Sequence, residues 1–581
     1  MIANNYFTDD KDLSLIFEHI VNWQAIVPAV EGEEFFDYKR YQETSDPRFE
    51  LAPSSTEEAV DLYRSSLDSL GEFFGKEVSQ LAPIMDKKGL QYADGKVTFP
   101  EEQLELYEKF KQTGLMSFAM PRISGGLGFP VTIGAFYTMI MARADVPFCM
   151  TMNLLNLAQI VSRYGTEEQN DGYASKASSG ESLFAMALTE PDFGSDLNNV
   201  RTVATKQEDG SYRITGTKRF ISQGCGLGEN PALLLTLART GSKKGARGLS
   251  LFLVKSSDIE VAGLEKKMGI HSSPTCEIVY ENSYAELLGQ EGLGLTRYTL
   301  GMTNFMRMGC AAGGPGGGAA GYYESLKYAQ EREQFGKPII QIPAVAEMLH
   351  KIKRETNATR LFALETAYVV DMYQHHQIRL EKQGKTDREI RRDERVSQWS
   401  NLAAIMTSVA KYYCAEENLL SGNLAIQIHG GAGYTEDYDV SRLYRDGRIN
   451  TIYEGTSQLH VRLSTGGIVA GMTGDGFFKR YIDSLVGSLD SPSKYLQEQA
   501  GMFAECLSEF RMITTEEEKE RVAENLIIIV ARYISSILYE RALGKIDDSD
   551  WQKDCQAYVI DSTAIMHASL YRVKHAPKKV E

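Results

Sequence analysis

The sequence predicts an α+β multidomain protein: an N-terminal helical domain, a middle β-barrel or sandwich domain, a C-terminal four-helix bundle and an extra C-terminal helical block. Three observations predict it. Apolar residues recur three and four apart over 55–183, as one face of a helix requires. Short β-rich runs split by Gly, Asn and Ser replace that pattern over 184–292. The helical period returns at 293 and persists, with the bundle over 293–470 and the extra block over 471–581.

Each element has its own signal. Residues 1–54 mix acidic and aromatic residues with little period and read as an arm that packs on another part of the chain. EEAVDLYRSSLDSLGEFF and EEQLELYEKFKQTGLM carry helical spacing, and Thr56, Glu57 and Glu58 resemble a helix start. PRISGGLGFP (121–130) is a loop by its Gly and Pro content. SYRITGTKRFIS, NPALLLTLART, GLSLFLVKSS and CEIVYENSYAELLG read as strands. The bundle helices are expected at 316–333, 341–377, 394–419 and 456–470. In the last block RVAENLIIIVARYISSILYERAL is the strongest amphipathic stretch. There is no internal repeat and no low-complexity segment.

Composition narrows the function classes. Of 581 residues, 43% are hydrophobic and 24% charged, as in ordinary globular chains. The formal net charge of −16 argues against a nucleic-acid surface, which needs clustered cations. Seven scattered cysteines, without a CxxC pair, read as reduced thiols of a cytoplasmic enzyme. The polar, acidic N-terminus lacks the regions of a signal peptide. No apolar run approaches the ~20 residues of a membrane span.

Five segments carry residues suited to chemistry, and each admits a plain structural reading. ALTEPDFGSD (187–196) offers backbone donors and the hydroxyls of Thr189 and Ser195 to a planar polar ring; equally it is a capped Asx/Gly turn. KRFISQG (218–224) places Phe220 and Ser222 two apart on one strand face, an aromatic wall beside a hydroxyl donor, or an ordinary half-buried strand. REQFGKP (332–338) sets Arg332 beside Phe335, fit for a pyrophosphate and a stacked ring, or for a helix C-cap. QIHGGAGYTED (427–437) lets a backbone approach a ligand closely; its His429 reads as a packed or capping histidine. In IYEGTSQ (452–458), Glu454 precedes a helix start, either as a positioned carboxylate near N–H donors or as an acid favoured by the helix dipole. AAGGPGGGAAG (311–321) lacks the ending of a phosphate loop and reads as a face for close helix packing.

In order and across the α–β–α pattern, TEPxxGSD, RxxFGKP, QxxGGxGYxxD and YEGTSQ resemble the acyl-CoA dehydrogenase family. The resemblance covers about residues 100–470. The N-terminal arm and the last helical block look like the long bacterial branch, which includes enzymes resembling 3-methylmercaptopropionyl-CoA dehydrogenase. The resemblance implies FAD and the following roles. Leu188 and Thr189 would contact the flavin pyrimidine edge, and Ser195 the flavin or CoA phosphate. Phe220 would wall the isoalloxazine, and Ser222, where Thr is frequent, would donate near N5. Arg332, Gln334 and Phe335 would reach the adenine–pyrophosphate half of FAD on a neighbouring subunit. Gln427, Gly431, Thr456 and Gln458 would hold the rest. Glu454 matches the usual base, with Gly455 against substrate. Some family members carry the base on an earlier helix. That position is Met306 here, which cannot accept a proton. Arg307 would be the helix arginine near the base and CoA. Asn304 stands where Asp is common in that substrate contact.

The resemblance thus implies α,β-dehydrogenation of an acyl-CoA to the 2,3-enoyl-CoA, with Glu454 taking the α-proton and flavin N5 the β-hydride. It implies an electron-transfer flavoprotein as acceptor and a homodimer, without nucleic acid or a transmembrane segment. Alternatives are an acyl-CoA oxidase and a non-catalytic, nucleic-acid-binding flavoprotein of the same fold.

Overall fold

The computed structural model describes residues 4–576, except the side chain of Asn304. They form two compact units. One holds Asn4–Tyr6 and Glu31–Met306; the other holds Phe7–Val30 and the chain from Arg307 onward.

The first unit opens with helices. Helix Thr56–Phe73 begins where expected, because the Ser55 hydroxyl accepts from the Glu58 N–H at 3.2 Å. Helix Val131–Ala144 is buried on every side, so it carries no polar face. Asp145 ends it and caps the next helix, Val146–Leu155, by accepting from the Phe148 N–H at 2.7 Å.

The sheet follows, with seven strands: β1 Leu183–Ala187, β2 Val203–Lys206, β3 Tyr212–Ser222, β4 Ala232–Arg239, β5 Leu249–Lys255, β6 Glu260–Leu264 and β7 Thr275–Leu288. Strands β4, β2, β3, β7 and β5 pair in a closed ring, so the β domain is a barrel. β1 runs parallel to β4, and β6 pairs with β7. Alternation fills the core: Leu233, Leu235 and Leu237 of β4 meet Leu249, Leu251 and Leu253 of β5.

One strand departs from simple alternation. β3 pairs with β7 from both ends, but the register shifts between Lys218 and Ile221. Phe220 sits in this bulge with φ of 63° and is 54% exposed. The even strand face expected for Phe220 and Ser222 is therefore a bulge, which swings an aromatic outward.

The second unit is helical. Its long helices are Leu300–Glu331, from Arg307 onward, with Pro343–Lys382, Glu394–His429 and Ser457–Gly471. The glycine-rich stretch lies inside the first of them. A Cβ at Gly314 would overlap the Cys414 carbonyl, one at Gly317 the Asn418 side chain, and one at Gly318 the Thr356 hydroxyl. Small residues let these helices touch. The first helix therefore starts before the expected 316, since packing overrides the low propensity of glycine.

The expected arm is built into folded structure. It contains the helices Lys11–Leu15, Trp23–Glu31 and Phe36–Thr44, too short to show a period. Arg360 grips Asp10 at 2.5 and 3.1 Å, and Asn357 donates to Asp12 at 2.9 Å. The last block adds helices Lys494–Met512, Glu516–Leu543 and Ser549–Lys574. It is tied to helix Pro343–Lys382 by buried ion pairs. Arg532 meets Glu355 with two bonds of 2.8 Å, and Arg541 meets Glu365 at 2.5 Å. Against expectation, helix Glu516–Leu543 is long and apolar enough to cross a membrane; 83% of its apolar window is buried inside the protein.

Candidate active site

The turn carrying Glu454 lies between a 3₁₀ segment, Arg448–Thr451, and helix Ser457–Gly471. Both Glu454 and Gly455 have positive φ, 54° and 101°. Left-handed backbone is costly for a glutamate, so the surroundings must hold it. They do so through both carbonyls. The Lys411 ammonium donates to the Gly455 oxygen at 2.5 Å, and the His460 ring nitrogen Nε2 lies 3.0 Å from the Glu454 oxygen. Burial pushes His460 down to about 3, with Lys411 and Arg307 adding to the effect, so the ring is neutral and Nε2–H donates. The Thr456 hydroxyl caps the following helix by accepting from the Leu459 N–H at 3.3 Å. Ser457 bonds the Glu416 carboxylate.

The electrostatics of this turn suit a base. Burial pushes the Glu454 carboxyl up to about 7, against the pull of Arg307 and Lys411. Burial lowers Arg307, and Glu454 opposes that shift. Burial lowers Lys411 as well. Cys310, one helical turn after Arg307, is pushed up to about 12 by burial and Glu454, and so stays a thiol. A buried carboxyl near neutrality, under the pull of two cations, can accept a proton and release it again.

In the other unit, the 187–196 loop is pinned from below by a buried ion pair. Lys218 of β3 donates to the Leu188 carbonyl at 2.9 Å and to Glu190 at 3.0 Å. Glu190 also accepts from the N–H groups of Arg201 and Thr202 at 2.6 and 2.8 Å. Burial pushes Lys218 down to about 8, with Glu190 opposing. Burial works to raise Glu190, but Lys218 and its hydrogen-bond donors hold it below the usual carboxylate range. The Arg219 N–H donates to the Thr189 carbonyl at 3.0 Å, which ties the loop to the bulge carrying Phe220. Thr189, Phe220 and Ser222 thus belong to one neighbourhood. The Leu188 side chain lies in the core, and Ser195 is exposed.

The remaining predicted residues are open. Arg332, Gln334 and Phe335 sit on a tight hairpin, Glu333–Gln334 against Lys337–Pro338, rather than on a helix cap. Phe335 has φ of 54° and is 91% exposed. Gln427 and Gly431 are exposed at the end of helix Glu394–His429, and Gln458 is exposed in the first turn after Thr456. Nothing would meet a Cβ at Gly430 or Gly431, so the backbone there is open to a ligand. His429 is packed: it stacks on Tyr328 with ring centroids 4.2 Å apart, and its Nδ1 lies 2.8 Å from the Ala425 carbonyl. The side chain of Asn304 lies outside the described residues.

Sequence reasoning missed Lys411, His460 and the Glu190–Lys218 pair. A lysine inside the apolar run of a buried helix, SVAKYYCA, was the available signal for Lys411.

Three sequence-family models match: acyl-CoA dehydrogenase, N-terminal domain, over 64–181; middle domain over 185–283; and C-terminal domain over 292–387 and 391–468. A 3-methylmercaptopropionyl-CoA dehydrogenase of Ruegeria pomeroyi is 33% identical over 437 residues, 71% of each chain. An acryloyl-CoA reductase (NADH) of Anaerotignum propionicum is 32% identical over 68% of this chain and 93% of its own. A solved acyl-CoA dehydrogenase from Bacillus anthracis, described as complexed with FAD, shares the fold at 22% identity and a TM-score of 0.73, covering 88% of both chains.

Proposed function

The chain belongs to the acyl-CoA dehydrogenase family, and from that premise we propose that it binds FAD and removes the α-proton of an acyl-CoA thioester with Glu454, forming the 2,3-enoyl-CoA. The observation that carries this reading is the Glu454 carboxyl, held on a left-handed turn and raised by burial to about 7 against the pull of Arg307 and Lys411.

The residues present fit FAD. The exposed aromatic Phe220 on a bulge, beside Ser222 and Thr189, suits a flat ring. Open backbone at Gly431, the exposed Gln427 and Gln458, and the helix start at Thr456 suit a polar, phosphate-bearing chain. Leu188 and Ser195 complete the ring-binding loop in our reading. Arg332, Gln334 and Phe335 would serve the adenine–pyrophosphate half of a second copy's FAD, which makes the protein a homodimer. Bound FAD supplies the acceptor for the β-hydride and a second donor to the thioester oxygen.

The chain's own residues do the proton work. A thioester α-proton is weakly acidic, so the developing negative charge on the oxygen needs a preorganised donor. The Glu454 N–H is that donor, and Lys411 and His460 fix its direction by holding the two carbonyls of the turn. Arg307 draws the carboxyl back toward its ionised form and would meet the CoA end of the substrate. An electron-transfer flavoprotein would be the electron acceptor.

The name of the Anaerotignum propionicum relative favours a second reading, the reverse direction. Protonated Glu454 would then return the proton to the α-carbon of an enoyl-CoA, and reduced FAD, when bound, would supply the β-hydride. The test of the main reading is anaerobic bleaching of flavin absorbance with a panel of acyl-CoA thioesters, in wild type and Glu454→Gln. Glu454→Gln should retain FAD and slow bleaching by ~10²–10⁴-fold, the usual contribution of a general base. Bleaching at the wild-type rate would remove Glu454 from the mechanism.

A further inference from the structure

A cavity of about 370 Å³ lies in the helical unit, among segments that the reading above does not use. Its size falls at the small end of the ~300–1,000 Å³ typical of ligand pockets. Its walls are apolar and aromatic: Leu364 and Tyr368 from helix Pro343–Lys382, Trp399 from helix Glu394–His429, and Ile26 from the N-terminal segment. Two cations, Arg541 and Lys545, also line it, and the one carboxylate on its wall is Glu365.

The charges do not balance. Both oxygens of Glu365 are taken, one by Arg541 at 2.5 Å and the other by the Tyr481 hydroxyl at 3.0 Å. The Arg541 Nε is buried and, among the described residues, has no acceptor. Burial and Arg541 lower Lys545, and Glu365 opposes the shift. Two cations against one carboxylate give the cavity wall one excess positive charge, carried by the exposed Lys545. An ammonium beside apolar and aromatic walls suits an anion that also carries an apolar body.

We infer that this cavity binds a small organic monocarboxylate, its carboxylate on Arg541 and Lys545 and its apolar body against Trp399, Tyr368 and Leu364. A single negative charge matches the single excess cation. The aromatic walls ask for an apolar body that a bare inorganic anion lacks. The site is separate from the Glu454 turn, and its occupation does not depend on the reaction proposed there.

The test is calorimetric titration of the FAD-loaded protein with octanoate, acetate, inorganic phosphate and octan-1-ol. Octanoate should bind at least tenfold tighter than each of the others. Lys545→Glu changes an exposed residue and should leave flavin bleaching by acyl-CoA intact, while weakening octanoate at least tenfold. Octanoate should also perturb tryptophan fluorescence in wild type but not in Trp399→Phe. The proposal fails if octanoate gives no measurable binding, if octanol or phosphate binds as tightly, or if Lys545→Glu leaves octanoate affinity unchanged. The last result would place octanoate elsewhere, including in the acyl pocket of the proposed reaction.

Discussion

Glu454 meets two opposing demands. An apolar setting strengthens a carboxylate as a base, yet the same setting favours the protonated acid. Arg307 and Lys411 set the balance, with the carboxyl near 7. The rate of flavin bleaching should therefore rise with pH through about 7, because Glu454 must be ionised to accept a proton. Lys411→Met removes one of the two cations that pull the carboxyl down, so the ascending limb should move to higher pH. It also frees the Gly455 carbonyl, so the plateau rate should fall. Lys411→Arg should restore the pH profile better than the plateau, because its fork cannot place one donor at the same 2.5 Å contact. An unchanged profile in Lys411→Met would show that the lysine acts only in folding. Glu454 was legible in the sequence because its neighbours form a motif. Lys411 and His460 were not, because each acts through a backbone carbonyl. No side-chain pattern marks such a contact.

At the scale of elements, the helical and strand periods predicted most segments, and the failures share one cause. Tertiary contact overrides local preference where backbones approach closely. The glycine stripe of helix Leu300–Glu331 was correctly read as a packing face, yet its glycines hid the start of the helix. Gly317→Leu forces a side chain against Asn418 and should destabilise by ~1–3 kcal/mol, as overpacking does. Chemical denaturation would register this as a lower midpoint, and an unchanged midpoint would mean the helices can separate freely. The bulge at Phe220 was invisible because alternation continues on either side of it. It exposes an aromatic, as the proposed flavin contact requires.

Across the whole chain, the order of helical, β and helical segments could be read directly from the change of period. The fate of the first fifty residues could not. Their anchors, Asp10 and Asp12, meet Arg360 and Asn357 about 350 positions later. The last block is likewise held by charges distant in sequence, above all Arg532 against Glu355 and Glu417. These groups are buried, so removing one partner leaves an uncompensated charge. Arg532→Ala should cost ~3–5 kcal/mol of stability, far more than a surface pair would. Thermal or denaturant unfolding checks this, and a loss below ~1 kcal/mol, the scale of exposed pairs, would contradict it. The same block walls the cavity assigned to a monocarboxylate, so its helices both complete the core and frame that site.

In the proposed reaction Glu454 removes the α-proton. Exchange of the thioester α-hydrogen for deuterium, followed by mass spectrometry in D₂O on FAD-loaded protein, measures that step alone. Wild type should exchange the α-hydrogen, and Glu454→Gln should exchange it ~10²-fold more slowly or worse while retaining FAD. Equal exchange in the two proteins would contradict the account.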